Sequence, residues 1–131
     1  MGEAVEFPDT CKLVLSILRA FDEDTPAHAR VPNPRPPSFY RVLRTGGPRV
    51  NFVADGASVV VESWAGDEEE AHGLAQGART ALHAAASSVV GGTPIYRVTE
   101  LSGPGRLPDP ASEQARYTQT FMVMVRGSAP A

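Results

Sequence analysis

The stretch SVVVESWAGDEEEAHGLAQGARTALHAA, residues 58–85, carries the two periodicities from which the fold is read. Its first seven residues, 58–64, are rich in β-branched and aromatic side chains and predict a strand. Gly66 then breaks the run and Asp67 supplies an N-cap. Glu68, Glu69 and Glu70 fill a first helical turn, where the backbone dipole favours negative charge. Ala71, Leu74, Ala75, Ala78, Leu82 and Ala85 recur at helical spacing, which predicts an amphipathic helix ended by Gly91 and Gly92. Its buried stripe is mostly alanine, with Gly73 and Gly77 nearby, so it can approach a sheet or another subunit closely.

Upstream, the residues 49–53 and 58–64 flank Ala54-Asp55-Gly56-Ala57, and an Asp-Gly step between two such runs predicts a hairpin. Residues 38–44 alternate Phe39, Arg41 and Leu43 against Tyr40, Val42 and Arg44, a further strand closed by Gly46-Gly47-Pro48. Five prolines within 25–37 (Pro26, Pro32, Pro34, Pro36 and Pro37) make that segment an extended arm, neither helix nor central strand. Its Pro34-x-x-Pro37 step is read as part of that arm rather than as a peptide ligand. Cys11, Val14, Leu15, Leu18 and Phe21 predict a helix over 10–21, capped by Asp9 or Thr10 and followed by the loop acids Asp22, Glu23 and Asp24.

Downstream come a strand over 94–101, a long loop over 102–114, a strand over 115–126 and a flexible tail, GSAPA, over 127–131. In the last strand Tyr117, Gln119, Phe121, Val123 and Val125 share one face. The order helix, three strands, helix, two strands predicts an α+β, two-layer sandwich. It has a largely antiparallel or mixed five-stranded sheet with two helices on one face, in a single domain over 1–131.

Composition narrows the function. The 131 residues carry 42% apolar and 21% charged side chains, enough for a core, and one cysteine, too few for a disulfide framework. No apolar run spans a membrane, and the acidic opening MGEAVEFPD lacks the basic start of a signal peptide, so a cytoplasmic site of synthesis is expected. The 12 Gly and 12 Pro exceed the average share without reaching low-complexity levels, which predicts long ordered loops. Arg30, Arg35, Arg41, Arg44 and Arg49 form a block without acids, flanked by the acids 22–24 and 67–70, which suggests opposed surfaces for self-association.

No catalytic constellation emerges, and an enzyme is not expected. A Walker-type phosphate loop is absent, and Gly103-Pro104-Gly105 reads as a turn. His72 and His83 lie about 16 Å apart along one helix, too far to share a metal. Glu68 and His72 read as a solvated pair, Cys11 as a small buried hydrophobe, and the acids 67–70 as helix capping rather than a cation site. The arginine block lacks the motif and the basic balance of a nucleic-acid reader at a pI of about 5.6. No cofactor, metal, membrane or specific nucleic-acid partner is expected.

Four segments together resemble the tail terminator proteins of long-tailed bacteriophages, those of actinobacterial phages in particular. They are VPNPRPPSFYRVLRTGG (31–47), VVVESWA (59–65), IYRV (95–98) and GPGRLPDPASEQARYTQTFMVMVRG (103–127). The resemblance implies a small α/β subunit, assembled in the host cytoplasm, that closes into a homohexameric ring at the tail–neck junction of the virion. It implies three partners: further copies of the chain, the major tail tube protein and the head–tail connector protein. It transfers no catalytic residue. The contact candidates are Arg30, Arg35, Arg41, Arg44 and Arg49 on the arm and first strand, with Arg106 and Asp109 on the long loop. Another head–tail joining or tail-completion protein is the alternative of the same class, and a small nucleic-acid-binding domain the alternative of a different one.

Overall fold

The computed structural model describes residues 4–130. Its elements are α1 (Thr10–Phe21), β1 (Ala27–His28), β2 (Phe39–Gly46), β3 (Ala54–Ala65), α2 (Glu68–Ala85), β4 (Val89–Val90), β5 (Thr93–Arg106) and β6 (Ala115–Arg126). The sheet has six strands in the order β1-β2-β3-β6-β5-β4. It is mixed, because β1 runs parallel to β2 while every other neighbouring pair is antiparallel. The last strand to be synthesised thus lies in the interior of the sheet.

Alternation along the strands puts Tyr40 and Val42, Ala57, Val59 and Val61, and Phe121, Val123 and Val125 on one face. That face meets Val14 and Leu18 of α1 and Ala78 and Leu82 of α2, so both helices cover the same side. Packing holds α1 more than its caps do. Val14 and Leu18 are fully buried, roughly 1.5–3 kcal/mol each, whereas the Asp9 cap on the Lys12 amide contributes about 1 kcal/mol. The alanine stripe of α2 brings its backbone to the sheet. Gln119 Nε2 donates to the Ala75 carbonyl and Tyr40 Oη to the Leu74 carbonyl, each at 2.8 Å. Burial, and then the charge of Asp22, raise the Tyr40 phenol above its ordinary range.

The helix over 10–21 and the strand over 115–126 form with the expected bounds, and Gln119, Phe121, Val123 and Val125 are buried together. Six expectations are corrected. Residues 49–53 form a loop rather than a strand, joined to the sheet by a bridge from Arg49 to Asp55 and by backbone bonds to Ala54 and Gly127. Residues 54–57 are the start of β3 rather than a turn, because β6 pairs with β3 from Ala54 onward. The β2–β3 reversal lies at Asn51–Val53, where the Val50 and Asn51 amides donate to the Ala54 carbonyl. Gly46 and Gly47, both with positive φ, stand where the β2–β3 pairing shifts register. α2 stops at Ala85, well before the glycines. Ser87 and Ser88 exchange hydrogen bonds with Ile95 there, and Gly91 and Gly92 turn β4 into β5. Residues 102–106, expected in the long loop, extend β5 with register shifts around them.

The sixth correction is the strand count: β1 and β4, two residues each, join the sheet where tertiary pairing reaches them. β1 lies inside the proline-rich arm, where the Pro26 carbonyl accepts from the Tyr40 amide at 2.8 Å. At the C-terminal end, Gly127 donates to the Val53 carbonyl, and Ser128 exchanges two backbone bonds with Glu6. These two residues of the expected flexible tail are therefore tied to the fold. Residues 1–3 of the acidic opening and residue 131 of the tail lie outside the described residues.

Candidate functional site

The two proline-rich segments converge at one end of the sheet, where β2 begins and β3 ends. Gln114 Nε2 donates to the carbonyls of Pro36 and Pro37 at 3.1 and 3.0 Å. Arg35 Nη1 donates to Asp109 Oδ2 at 3.3 Å, so a residue from each loop closes the junction. The Asp109 carboxyl is held below the usual carboxylate range. Its main cause is the Ser112 hydroxyl, helped by the Ala111 amide and by the charges of Arg35 and Arg116.

Beneath this junction lies the chain's single tryptophan. Opposed to Phe39 in the β2–β3 register, Trp64 stacks on it with ring centroids 5.2 Å apart. The Arg35 and Arg116 guanidinium groups each sit 5.1 Å from the Trp64 ring centre. Glu62, buried on the sheet face opposite the helices, accepts from Trp64 Nε1 at 3.2 Å and from Arg41 Nη1 at 3.3 Å. Arg116 Nη1 lies 3.9 Å from its other oxygen. Arg106, at the end of β5, pairs with Glu68 in the first turn of α2. A groove of about 370 Å³ opens between that turn and the loop after β5.

The other end of the sheet is built differently. The β2–β3 loop is tightened by Asn51, whose Oδ1 accepts from the Val53 and Ala54 amides at 2.9 Å. Arg49 donates to the Asn51 and Phe52 carbonyls at 3.1 and 2.6 Å. Its guanidinium lies over the rings of Phe7 and Phe52. The loop is thereby held in one shape with Val50, Phe52 and Val53 turned to solvent, Phe52 being 53% exposed. A cleft of about 480 Å³ lies at the same end, lined in part by Phe7, Pro94 and Arg126.

The structure divides the expected contact residues. Arg35, Arg41, Arg106 and Asp109 come together at the proline-loop end. Arg44, paired with Asp55 at 3.0 Å, and Arg49 lie at the opposite end. Arg30 is exposed and makes no ion pair among the described residues. The block without acids is therefore not a free positive surface: Asp109, Glu62 and Asp55, distant in sequence, neutralise Arg35, Arg41 and Arg44. Sequence reasoning passed over Trp64, Glu62, Gln114 and Arg116. The one available signal was a lone tryptophan on a strand beside an outward-facing acid.

The remaining candidates hold conventional roles. Cys11 Sγ donates to the Val42 carbonyl at 3.2 Å, and burial, then Asp9, push its thiol up. Glu68 is paired with Arg106 rather than with His72, which contacts Gln76 and the Tyr117 ring. Among the described residues, no three His, Cys, Asp or Glu side chains gather as a metal site. No helix among them is long and apolar enough to cross a membrane.

Fold and ends together define a two-layer α+β domain whose two ends carry loops held in place by their own hydrogen bonds. Among solved structures it is similar to a chain of the "Virion of native gene transfer agent (GTA) particle", with a TM-score of 0.59 at 16% identity. The likeness covers 86% of this chain and 86% of that one, and it is a likeness of fold. No protein-family profile and no curated protein matches the sequence.

Proposed function

We propose that this chain is a structural virion protein that caps the phage tail tube as a ring. It would end tube polymerisation and present the docking surface for the head connector. The observation that carries this reading is the likeness, over 86% of both chains, to a chain of a virion particle. The resemblance of segments 31–47, 59–65, 95–98 and 103–127 to tail terminators narrows it to that role. The work is non-catalytic. A growing tube end exposes unsatisfied interface, and a ring that binds it without offering the same interface onward blocks the next tube subunit by mass action.

The stapled proline loops suit this task. Segments already extended and hydrogen-bonded lose little conformational entropy on docking. Deleting the gene should yield particles with overlong tails in electron micrographs. Tails of normal length detached from filled heads would overturn the terminator role and favour a joining protein. Replacing Pro32, Pro34, Pro36 and Pro37 by Ser should lower the yield of infectious particles more than it lowers the unfolding midpoint. Unchanged tail length and infectivity in that variant would remove the arm from the contact.

A further inference from the structure

We propose that opposite ends of this chain are complementary to each other, so that a second copy docks head to tail. The Val50–Val53 knob of one copy would enter the groove between the start of α2 and the loop after β5 of the next. This deepens the ring reading above and rests on it only for whether the chain of contacts closes.

Three observations carry the proposal. The knob is apolar, exposed and rigid: Phe52 and its neighbours are fixed by Arg49 and Asn51, so little freedom is lost when it is buried. The groove, about 370 Å³, lies at the far end of the same sheet, since the knob adjoins Ala54 and the groove adjoins Ala65 and Ala115 on paired strands.

Charge is the third. At the knob end, Arg97 sits opposite Met124 in the β5–β6 register, and Arg126 follows two residues on along the same face. Both are exposed and unpaired among the described residues; Glu6 lines the same cleft as Arg126, and Asp9, next to the cleft-lining Pro8, is exposed. At the groove end, Arg106 is satisfied by Glu68, and Arg116 is turned to Glu62 and the Leu107 carbonyl. Asp67, Glu69, Glu70 and Glu113 are left exposed.

These features select a second copy, in one orientation. End to end, a two-fold contact would set like charge against like, whereas head-to-tail contact joins positive knob to negative groove, a heterologous interface. A two-fold dimer exchanging both knobs would close on itself and give no ladder in the test below. Its size is feasible. The described chain exposes 7192 Å², and a standard interface takes roughly 800 Å² from each partner, so both ends can be occupied at once.

The test uses full-length protein with Cys11→Ser to remove the native thiol. Phe52→Cys and Glu113→Cys chains are mixed at high concentration and oxidised under native conditions. A disulfide-linked dimer should form in the mixture and not with either chain alone, and the double variant should form a ladder. No mixed dimer, or a dimer from Phe52→Cys alone, would overturn the proposal. Arg97→Glu with Arg126→Glu should weaken cross-linking at least tenfold, and Glu69→Lys with Glu70→Lys in the partner chain should restore it. Absence of that rescue would refute the charge pairing. A ladder from a protein missing from purified particles would sink the virion reading and leave this contact standing. Ring-capped tails without the cross-link would do the reverse.

Discussion

Gly47 shows how sharply one residue can be constrained while its neighbour is not. Its φ is +97°, and a Cβ there would lie 2.1 Å from the Gly56 carbonyl oxygen and 2.6 Å from the Ser58 nitrogen. Gly46 also has positive φ, +128°, but no atom stands within 4 Å of its Cβ position. Gly47→Ala should therefore destabilise by about 3 kcal/mol or more, strain plus backbone collision, and Gly46→Ala by roughly 1–2 kcal/mol of strain alone. Urea unfolding of the two variants checks this; equal losses would mean that β3 can move away from Gly47. The kink is legible in Gly46-Gly47-Pro48, but the chain reverses farther on, at Asn51–Val53. Asp55 and Gly56 look like the hairpin step and are not. Asp55 is instead consumed by Arg44, across the strand pair, and Gly56 pairs with Met124 on β6.

Between elements, a two-pronged ion pair joins α2 to β5. Arg79 donates to both oxygens of Glu100 at 2.6 and 2.8 Å, and His83 stands 3.9 Å from the nearer one. The Arg79 hydrogen bond, and then the charges of Arg79 and His83, hold the Glu100 carboxyl below its ordinary range against a smaller desolvation penalty. A carboxyl lowered in the folded state adds stability above its unfolded pKa and loses it as pH falls through the folded value. Wild type and Glu100→Gln should thus melt alike in strong acid. Wild type should melt slightly higher at neutral pH, the difference being small because the pair is partly exposed. A gap widening toward acid would contradict the sign. Long elements such as α1 and β6 are readable because their apolar spacing repeats over several turns or pleats. β1 and β4 are not, since two residues carry no period and gain strand character only from a neighbour.

For the whole molecule, the position of β6 matters most. It pairs along its full length with β3 on one side and, from Tyr117 to Val125 with register shifts, with β5 on the other. Cutting the chain after Gln114 should leave a fragment without cooperative unfolding by circular dichroism. A peptide spanning 115–131, added in trans, should restore it. Cooperative melting of the fragment alone would mean that β3 and β5 can close the sheet without their shared partner. The same long-range pairing explains why the candidate site was only partly legible. Arg35 and Asp109 could each be singled out as loop residues, but their meeting depends on β5 returning to the end of the sheet where β2 starts.

The amino-acid sequence by itself determined the α+β class, the two helices, the final strand with its buried face, and the two proline-rich loops. Each follows from local periodicity or from the fixed φ of proline. Only the tertiary structure decided that those loops are stapled over Trp64, that the arginine block is neutralised from afar, and that the free charges lie elsewhere, at opposite ends. The physical reason is that ion pairing and strand order join residues far apart in the chain, and no local pattern records which distant partner a side chain will meet.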